Sequence, residues 1–393
     1  MFIRQLTGVR LVAAVWVMLA HYQPALSQAN IEIPVFGDFI RQGWLGVDLF
    51  FTLSGFILTY TYLEKLGPRL SGAVIGRFLW FRLARIYPVH FVMLNVAGLA
   101  VLMLALVGKT TRTGTDAWFT PGEYVQQLFL VQNWGQYPQP GWNFAAWSLS
   151  MEWLAYLTLP FLALVFWRVR DKLAPFAFAV AALVSVSVLL ACFWFPPDFV
   201  IGWNATIRVL TEFIAGGFVY LFVRRVNIVT KKRGAITRGA TVLAWTIPFA
   251  IVAISFFATP GGQTDLSSDN GQTPPSLGAI PVIIPLIVAW IGALALTDRG
   301  PSRFLASRWL VLGGLISYSL YMVHSFWYAV WQFGLERAGV SRGPIYLLCV
   351  IALFTVPFLL AYAMWRLVEE PAREWLRAVV GARPVPIDEA AAP

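Results

Sequence analysis

Residues 10–21 read RLVAAVWVMLAH, an apolar run with an arginine at one end and a histidine at the other. The run itself has the character of a membrane helix; its two polar ends need a reason. Steps of about 100° carried from Arg10 to His21 come to three turns plus roughly 20°, with a rise of about 16 Å. The two residues therefore share one helix face, Arg10 near the helix end and His21 about halfway across a bilayer. Lipid does not solvate an ionisable side chain, so such a residue inside a span marks a functional site by default.

The rest of the chain has the same character. Of its 393 residues 59% are hydrophobic and 12% charged, where a soluble domain carries about 25% charged residues. This is the balance of a polytopic membrane protein, with the lipid bilayer as its first partner. Cys192 and Cys349 sit in apolar runs, and with only three histidines neither a disulfide framework nor a metal site is expected. No small-residue cleavage site follows the first apolar run, which reads as a retained span and not a signal peptide.

Apolar stretches of about 20 residues lie near 9–26, 43–63, 86–107, 145–167, 174–194, 204–223, 240–258, 279–297, 310–333 and 344–367. They predict an all-α membrane protein of about ten transmembrane helices. Lys and Arg cluster in alternate connections. One side takes Arg4 and Arg10, then Lys65 to Arg85, 168–172, 224–238, Arg299, Arg303, Arg308 and the C-terminal segment. The other keeps Arg41, Lys109, Arg112, Arg208, Arg337 and Arg342. By the positive-inside rule both termini are cytoplasmic, and the net charge of +10 is a topology signal. No soluble domain is there to carry nucleic acid, so none is expected as a partner. Two outer loops are long: 108–144, with a short apolar stretch suited to the interface, and the Gly/Pro/Ser-rich 259–278. The expected organisation is one transmembrane domain over 1–377, a disordered cytoplasmic tail over 378–393, and no appended soluble domain.

The polar residues inside these spans are the candidates for chemistry. In GWLGVDLFFTLSGFILT (43–59), Ser54-Gly55 reads as a helix-packing position, while Asp48 reads equally as a hydrated carboxylate or a functional one. Arg82 and Arg85 share a face below the third span, with Pro88 expected in its first turn and His90 as a packed histidine. Arginine forks suit phosphate oxygens, and they also serve as plain positive-inside anchors. Ser148 and Glu152, four apart, share a face of the fourth span, and Glu152 needs a partner or a water-filled cavity. Ser317, Tyr321 and His324 follow one face of the ninth, as a functional stripe or as interhelical hydrogen bonding. The expected vertical order runs from Arg10, Arg82 and Arg85 on the cytoplasmic side, through His21, to Glu152 and Asp48 toward the outside.

RLVAAVWVMLAH, GWLGVDLFFTLSGFILT, RLARIYPVH, WSLSMEW, ISYSLYMVH and RLVEEPAREWLR (366–377), taken in that order, resemble the acyltransferase-3 family of integral membrane O-acyltransferases. The likeness runs from residue 4 to about 377. It implies transfer of an acyl group, commonly acetyl from acetyl-CoA, to a hydroxyl of a glycan or other acceptor at the inner membrane. It implies Arg10 and His21 as the family's Arg–His motif and Arg82 and Arg85 as its cytoplasmic arginine pair. Some members finish the transfer with a fused esterase-like domain. Without one, this core completes the transfer itself or hands the group to a separate acyl-accepting protein.

The chemistry fits these residues. His21 can act as general base or as an acyl-carrying nucleophile. Ser148 or Tyr321 can donate to the developing oxyanion, Arg82 and Arg85 can neutralise acyl-CoA phosphates, and Glu152 can orient His21 or bind the acceptor hydroxyl. Asp48, Ser148, Tyr321 and His324 are the expected acceptor-binding residues. The acceptor is expected to be a carbohydrate such as an exopolysaccharide, O-antigen or lipid-linked sugar, with an antibiotic aglycone as the alternative. A secondary transporter would need paired broken helices in two matching halves, which the sequence lacks. A purely structural subunit would not need His21 and Glu152 inside its spans.

Overall fold

The computed structural model describes residues 3–31, 36–106, 119–135, 141–192, 204–230, 233–257 and 280–381, and every regular element among them is helical. In chain order these are α1 (Arg4–Gln28), α2 (Phe36–Arg41), α3 (Leu45–Leu66), α4 (Gly72–Leu106), α5 (Pro121–Leu128) and α6 (Ala146–Val169). Then follow α7 (Pro175–Cys192), α8 (Asn204–Val229), α9 (Arg233–Phe257), α10 (Ile280–Leu296), α11 (Pro301–Leu305), α12 (Arg308–Ala338) and α13 (Pro344–Met364). A π-helical turn, Trp365–Glu369, joins α13 to α14 (Glu370–Val379).

Each of the ten expected stretches falls on a helix. Among the described residues eight helices are long and apolar enough to cross a membrane, the last running on from Pro344 to Val379. The described apolar parts of α7 and α10, Pro175–Val188 and Val282–Leu296, are shorter. The chain is thus a multi-pass membrane protein, and its helices satisfy internally the backbone groups that lipid cannot. The whole 259–278 loop lies outside the described residues, as do 107–118 and the tail from 382.

One boundary differs from expectation. The third span does not begin at 86: α4 starts at Gly72, so RFLWFRLARIYPVH is continuous helix and Pro88 stands in its interior, not its first turn. The added turns are held by their own apolar residues, since Phe78 and Ile86 are both buried. α5 folds back on α4, where Tyr87 Oη donates to the Leu128 carbonyl at 3.0 Å and His90 Nε2 to that of Gln127 at 2.8 Å. His90 is accordingly a packed histidine.

Small residues set which helices touch. A methyl group on Gly55 would run into the Phe213 carbonyl and one on Gly216 into that of Thr52, so α3 and α8 meet backbone to backbone. Gly314 does the same for α12 against Thr7 of α1. The α1–α12 seam carries the site. At one end of the bundle Arg170 pairs with Glu64 and Arg224 with Asp171, both at 2.7 Å. The hydrogen bond from Arg224, helped by Arg170, holds Asp171 below the ordinary carboxylate range. Such exposed pairs contribute little stability, but they fix the ends of α3, α6 and α8 at one level.

Candidate active site

At that same end, α1, α3, α4, α6, α12 and α14 enclose a cavity of about 320 Å³. Five arginines line it: Arg10, Arg82, Arg85, Arg373 and Arg377. Four of them, all but Arg85, keep a buried Nε with no hydrogen-bond partner among the described residues. An unpaired buried donor costs about 1–3 kcal/mol, so the arrangement is built to receive acceptor atoms from elsewhere. Arg82 leans on Tyr62, its Nη2 3.3 Å from the phenol oxygen and its guanidinium 5.4 Å from the ring centre. Arg85 is different: it forms an ion pair with Glu369, a fully buried carboxylate that also accepts from Ser319 Oγ at 2.7 Å.

Arg373 and Arg377 come from α14, which closes one side of the cavity. Pro371 has no N–H to continue an α-helical ladder, and the π-turn just before it re-aims the chain. Trp80 Nε1 then donates to the Leu376 carbonyl at 2.7 Å and pins α14 on α4. Glu370 holds Arg373 at 2.5 Å. The i, i+4 spacing of Arg373 and Arg377 was readable from the sequence; that their shared face points into the bundle was not.

A second, smaller chamber of about 50 Å³ adjoins the first. Arg10, Leu53, Ser54, Glu152 and Tyr318 line both, so they form the passage between them. Val47, Phe50, Phe51, Ser148, Leu149, Tyr321 and Met322 complete the smaller chamber. Glu152 accepts from Ser54 Oγ at 3.3 Å and from the Tyr156 hydroxyl. Ser54 therefore does more than pack. Its neighbour Gly55 serves the helix contact while Ser54 faces the passage.

Beyond the chamber stands a pair of histidines. Ser148 Oγ lies 2.9 Å from Tyr321 Oη, and His21 Nδ1 lies 3.0 Å from His324 Nε2. The neighbouring contacts fix the tautomers. His324 Nδ1 is 2.6 Å from the Tyr321 carbonyl, which can only accept, so Nδ1 carries the proton. In the neutral ring its Nε2 then carries one lone pair, shared by Ser325 Oγ–H and His21 Nδ1–H, each at 3.0 Å. With Nδ1 of His21 donating, its Nε2 lone pair is left for a reacting proton or carbonyl. Tyr22 Oη donates to the His324 backbone carbonyl at 2.9 Å and holds the two helices in register.

Other candidates are placed elsewhere. Glu152 does not stand outward of His21: it shares the arginine cavity with Arg10 and Arg82, and its partners are Ser54 and Tyr156, not His21. Counting depth from the edge of each span missed this, because α1 and α12 run on to Gln28 and Ala338 and lift the histidines toward their far ends. Asp48 is fully buried and takes two bonds from Arg208, one at 2.6 Å through Nε. Arg208 is thus no loop charge but a partner inside α8, with buried Glu212 3.9 Å away. Ser317 bonds its own helix at Gly314. Tyr318, Tyr156, Ser319 and Glu369 are the further residues that the sequence pattern did not single out.

A family described as an acyltransferase domain (acyltransferase-3) matches residues 3–364. The "Acyltransferase MdmB" of Streptomyces mycarofaciens is 27% identical over 365 residues, 86% of this chain and 81% of that protein. A "Putative O-acetyltransferase" of Staphylococcus aureus (strain COL) is 22% identical over 391 residues, 95% of this chain but only 58% of that protein's length. "Protein 2 in picA locus" of Rhizobium radiobacter is 34% identical over 107 residues, 27% of this chain and 49% of that protein. No solved structure matches the chain.

Proposed function

Because the chain belongs to the acyltransferase-3 family and is an acyl-transferring enzyme, we propose that it moves an acyl group, acetyl foremost, from acyl-CoA to a hydroxyl of a carbohydrate-containing cell-envelope acceptor. The observation that carries this reading is the line from the five-arginine cavity, through the Ser54–Glu152 passage, to the chamber whose Tyr321 ring stands 5.5 Å from that of His324, the partner of His21. The arginines match the several phosphates of CoA, for which planar forks are suited. The chamber holds the thioester end, where the Tyr321 hydroxyl supplies a donor for the oxyanion. His21 Nε2 takes the proton from the acceptor hydroxyl. The alkoxide oxygen bonds to the acyl carbon, the C–S bond breaks, and the proton passes to the departing thiolate, giving an ester and free CoA.

The enzyme works in the inner (plasma) membrane, with the arginine cavity and both termini on the cytoplasmic side. Reporter fusions are expected to put 224–238 inside and 259–278 outside; a cytoplasmic signal from 259–278 would overturn this topology. Arg82→Ala or Arg377→Ala is expected to weaken acyl-CoA binding by about 1.5–3 kcal/mol, one charge-assisted hydrogen bond. The exposed Arg303, on α11, serves as the control. Equal losses at all three would mean general electrostatics and would remove the phosphate assignment. The reading as a whole is tested by CoA release from purified protein with acceptor present and absent.

A further inference from the structure

A third cavity, of about 340 Å³, opens at the end of α1 and α12 away from the arginines. Gln28, Tyr328, Trp331, Gln332, Glu336 and Ser341 are among its lining residues. We infer that it is a subsite for a neutral polyhydroxylated ligand, a saccharide segment without acidic groups. The inference rests on the proposed transfer reaction only for what the ligand is there to do.

From His21 to Gln28 is two helical turns less about 20°, a rise of about 10 Å, so Arg10, His21 and Gln28 share one face of α1. On α12 the step from His324 to Trp331 is the same, and Tyr328 lies between them on that face. The cavity therefore continues, on both helices, the strip that already carries the arginine cavity and the histidine pair. Tyr22 links the two levels, bonding the His324 carbonyl and standing 5.4 Å, ring to ring, from Tyr328.

The arginine cavity has five guanidinium groups, whereas among the described residues no Lys or Arg lines this one. Its polar groups are two amides, a carboxylate and two hydroxyls, the partners that hydroxyl pairs require. Trp331 and Tyr328 stack at 6.0 Å and 17°, with the indole N–H spent on the Cys349 carbonyl at 2.7 Å, so they offer the apolar wall that C–H faces of a sugar ring need. The hydroxyl of Tyr328 makes no hydrogen bond among the described residues, while Gln28 is already fixed by Ser341 at 3.4 Å and Tyr346 at 3.0 Å. Gln332 and Glu336 are exposed on the rim. The Glu336 carboxylate forms no ion pair among the described residues, so its charge repels phosphate and uronate while it accepts from hydroxyls.

Full-length protein in nanodiscs would be titrated, by saturation-transfer NMR, with maltohexaose, cellohexaose and chitohexaose, and with hexagalacturonate as the acidic counterpart. At least one neutral oligosaccharide is expected to bind, with hexagalacturonate about tenfold weaker or worse. Gln332→Ala with Glu336→Ala is expected to weaken the neutral ligand by about tenfold or more while leaving CoA binding unchanged. No binding of any neutral probe, binding indifferent to the double substitution, or equal binding of the uronate would each overturn the assignment. Saccharide binding in a protein that moves no acyl group from acyl-CoA to a carbohydrate would leave the subsite standing and remove the proposed reaction. Transfer whose acceptor KM ignores both substitutions would do the reverse.

Discussion

His21→Ala is expected to lower acceptor-dependent CoA release by at least about a hundredfold, the lower end of what a positioned general base contributes. The ring's Nδ1 is committed to His324, and the chain of contacts from the Tyr321 carbonyl through His324 determines which nitrogen of His21 remains reactive. Removing His21 takes away that lone pair and leaves no orphan behind it, since His324 Nε2 keeps Ser325 Oγ at 3.0 Å. Membrane insertion is expected to survive, because the span becomes more apolar. Arg10→Lys keeps a charge in the passage but loses the fork, so part of the activity should remain. Thermal stability in detergent separates folding from chemistry. A folded His21→Ala protein with near wild-type turnover would remove His21 from the mechanism and make Glu152, whose carboxylate lines both chambers, the base to test.

The sequence made part of this site legible because helical phase is local. Arg10 with His21, Ser148 with Glu152, and Tyr321 with His324 could each be assigned to one face by spacing alone. Which face meets which depends on packing between helices distant in the chain, and no spacing rule carries that. His21 and His324 are hydrogen-bonded across 303 positions, and Arg85 finds Glu369 on a π-turn that no apolar periodicity signals. Asp48 illustrates the same limit. Its depth near a span end was readable, but not that Arg208, counted as an outer loop charge, is folded into α8 beside it. The 259–278 connection, expected as an outer loop, lies outside the described residues.

Arg85→Ala is expected to act on the fold before it acts on the donor, in contrast to Arg82→Ala. The Arg85 guanidinium, 17% exposed, pairs with a Glu369 carboxylate that is 0% exposed. Truncating it leaves that buried carboxylate with Ser319 as its remaining hydrogen-bond partner. Breaking a buried ion pair from one side costs about 3–5 kcal/mol, while replacing both partners with apolar groups is often close to neutral. Arg85→Met/Glu369→Met should accordingly recover most of the stability that Arg85→Ala or Arg85→Met alone loses, as read from thermal unfolding in detergent. Donor affinity in the double variant should fall by no more than one cation's share, because Arg10, Arg82, Arg373 and Arg377 still line the cavity. The pair would then be a lock between α4 and the turn that carries α14, and so a positioning element for Arg373 and Arg377. An Arg85→Ala protein as stable as wild type, with only its acyl-CoA affinity reduced, would return Arg85 to the phosphate-binding set and dissolve the lock.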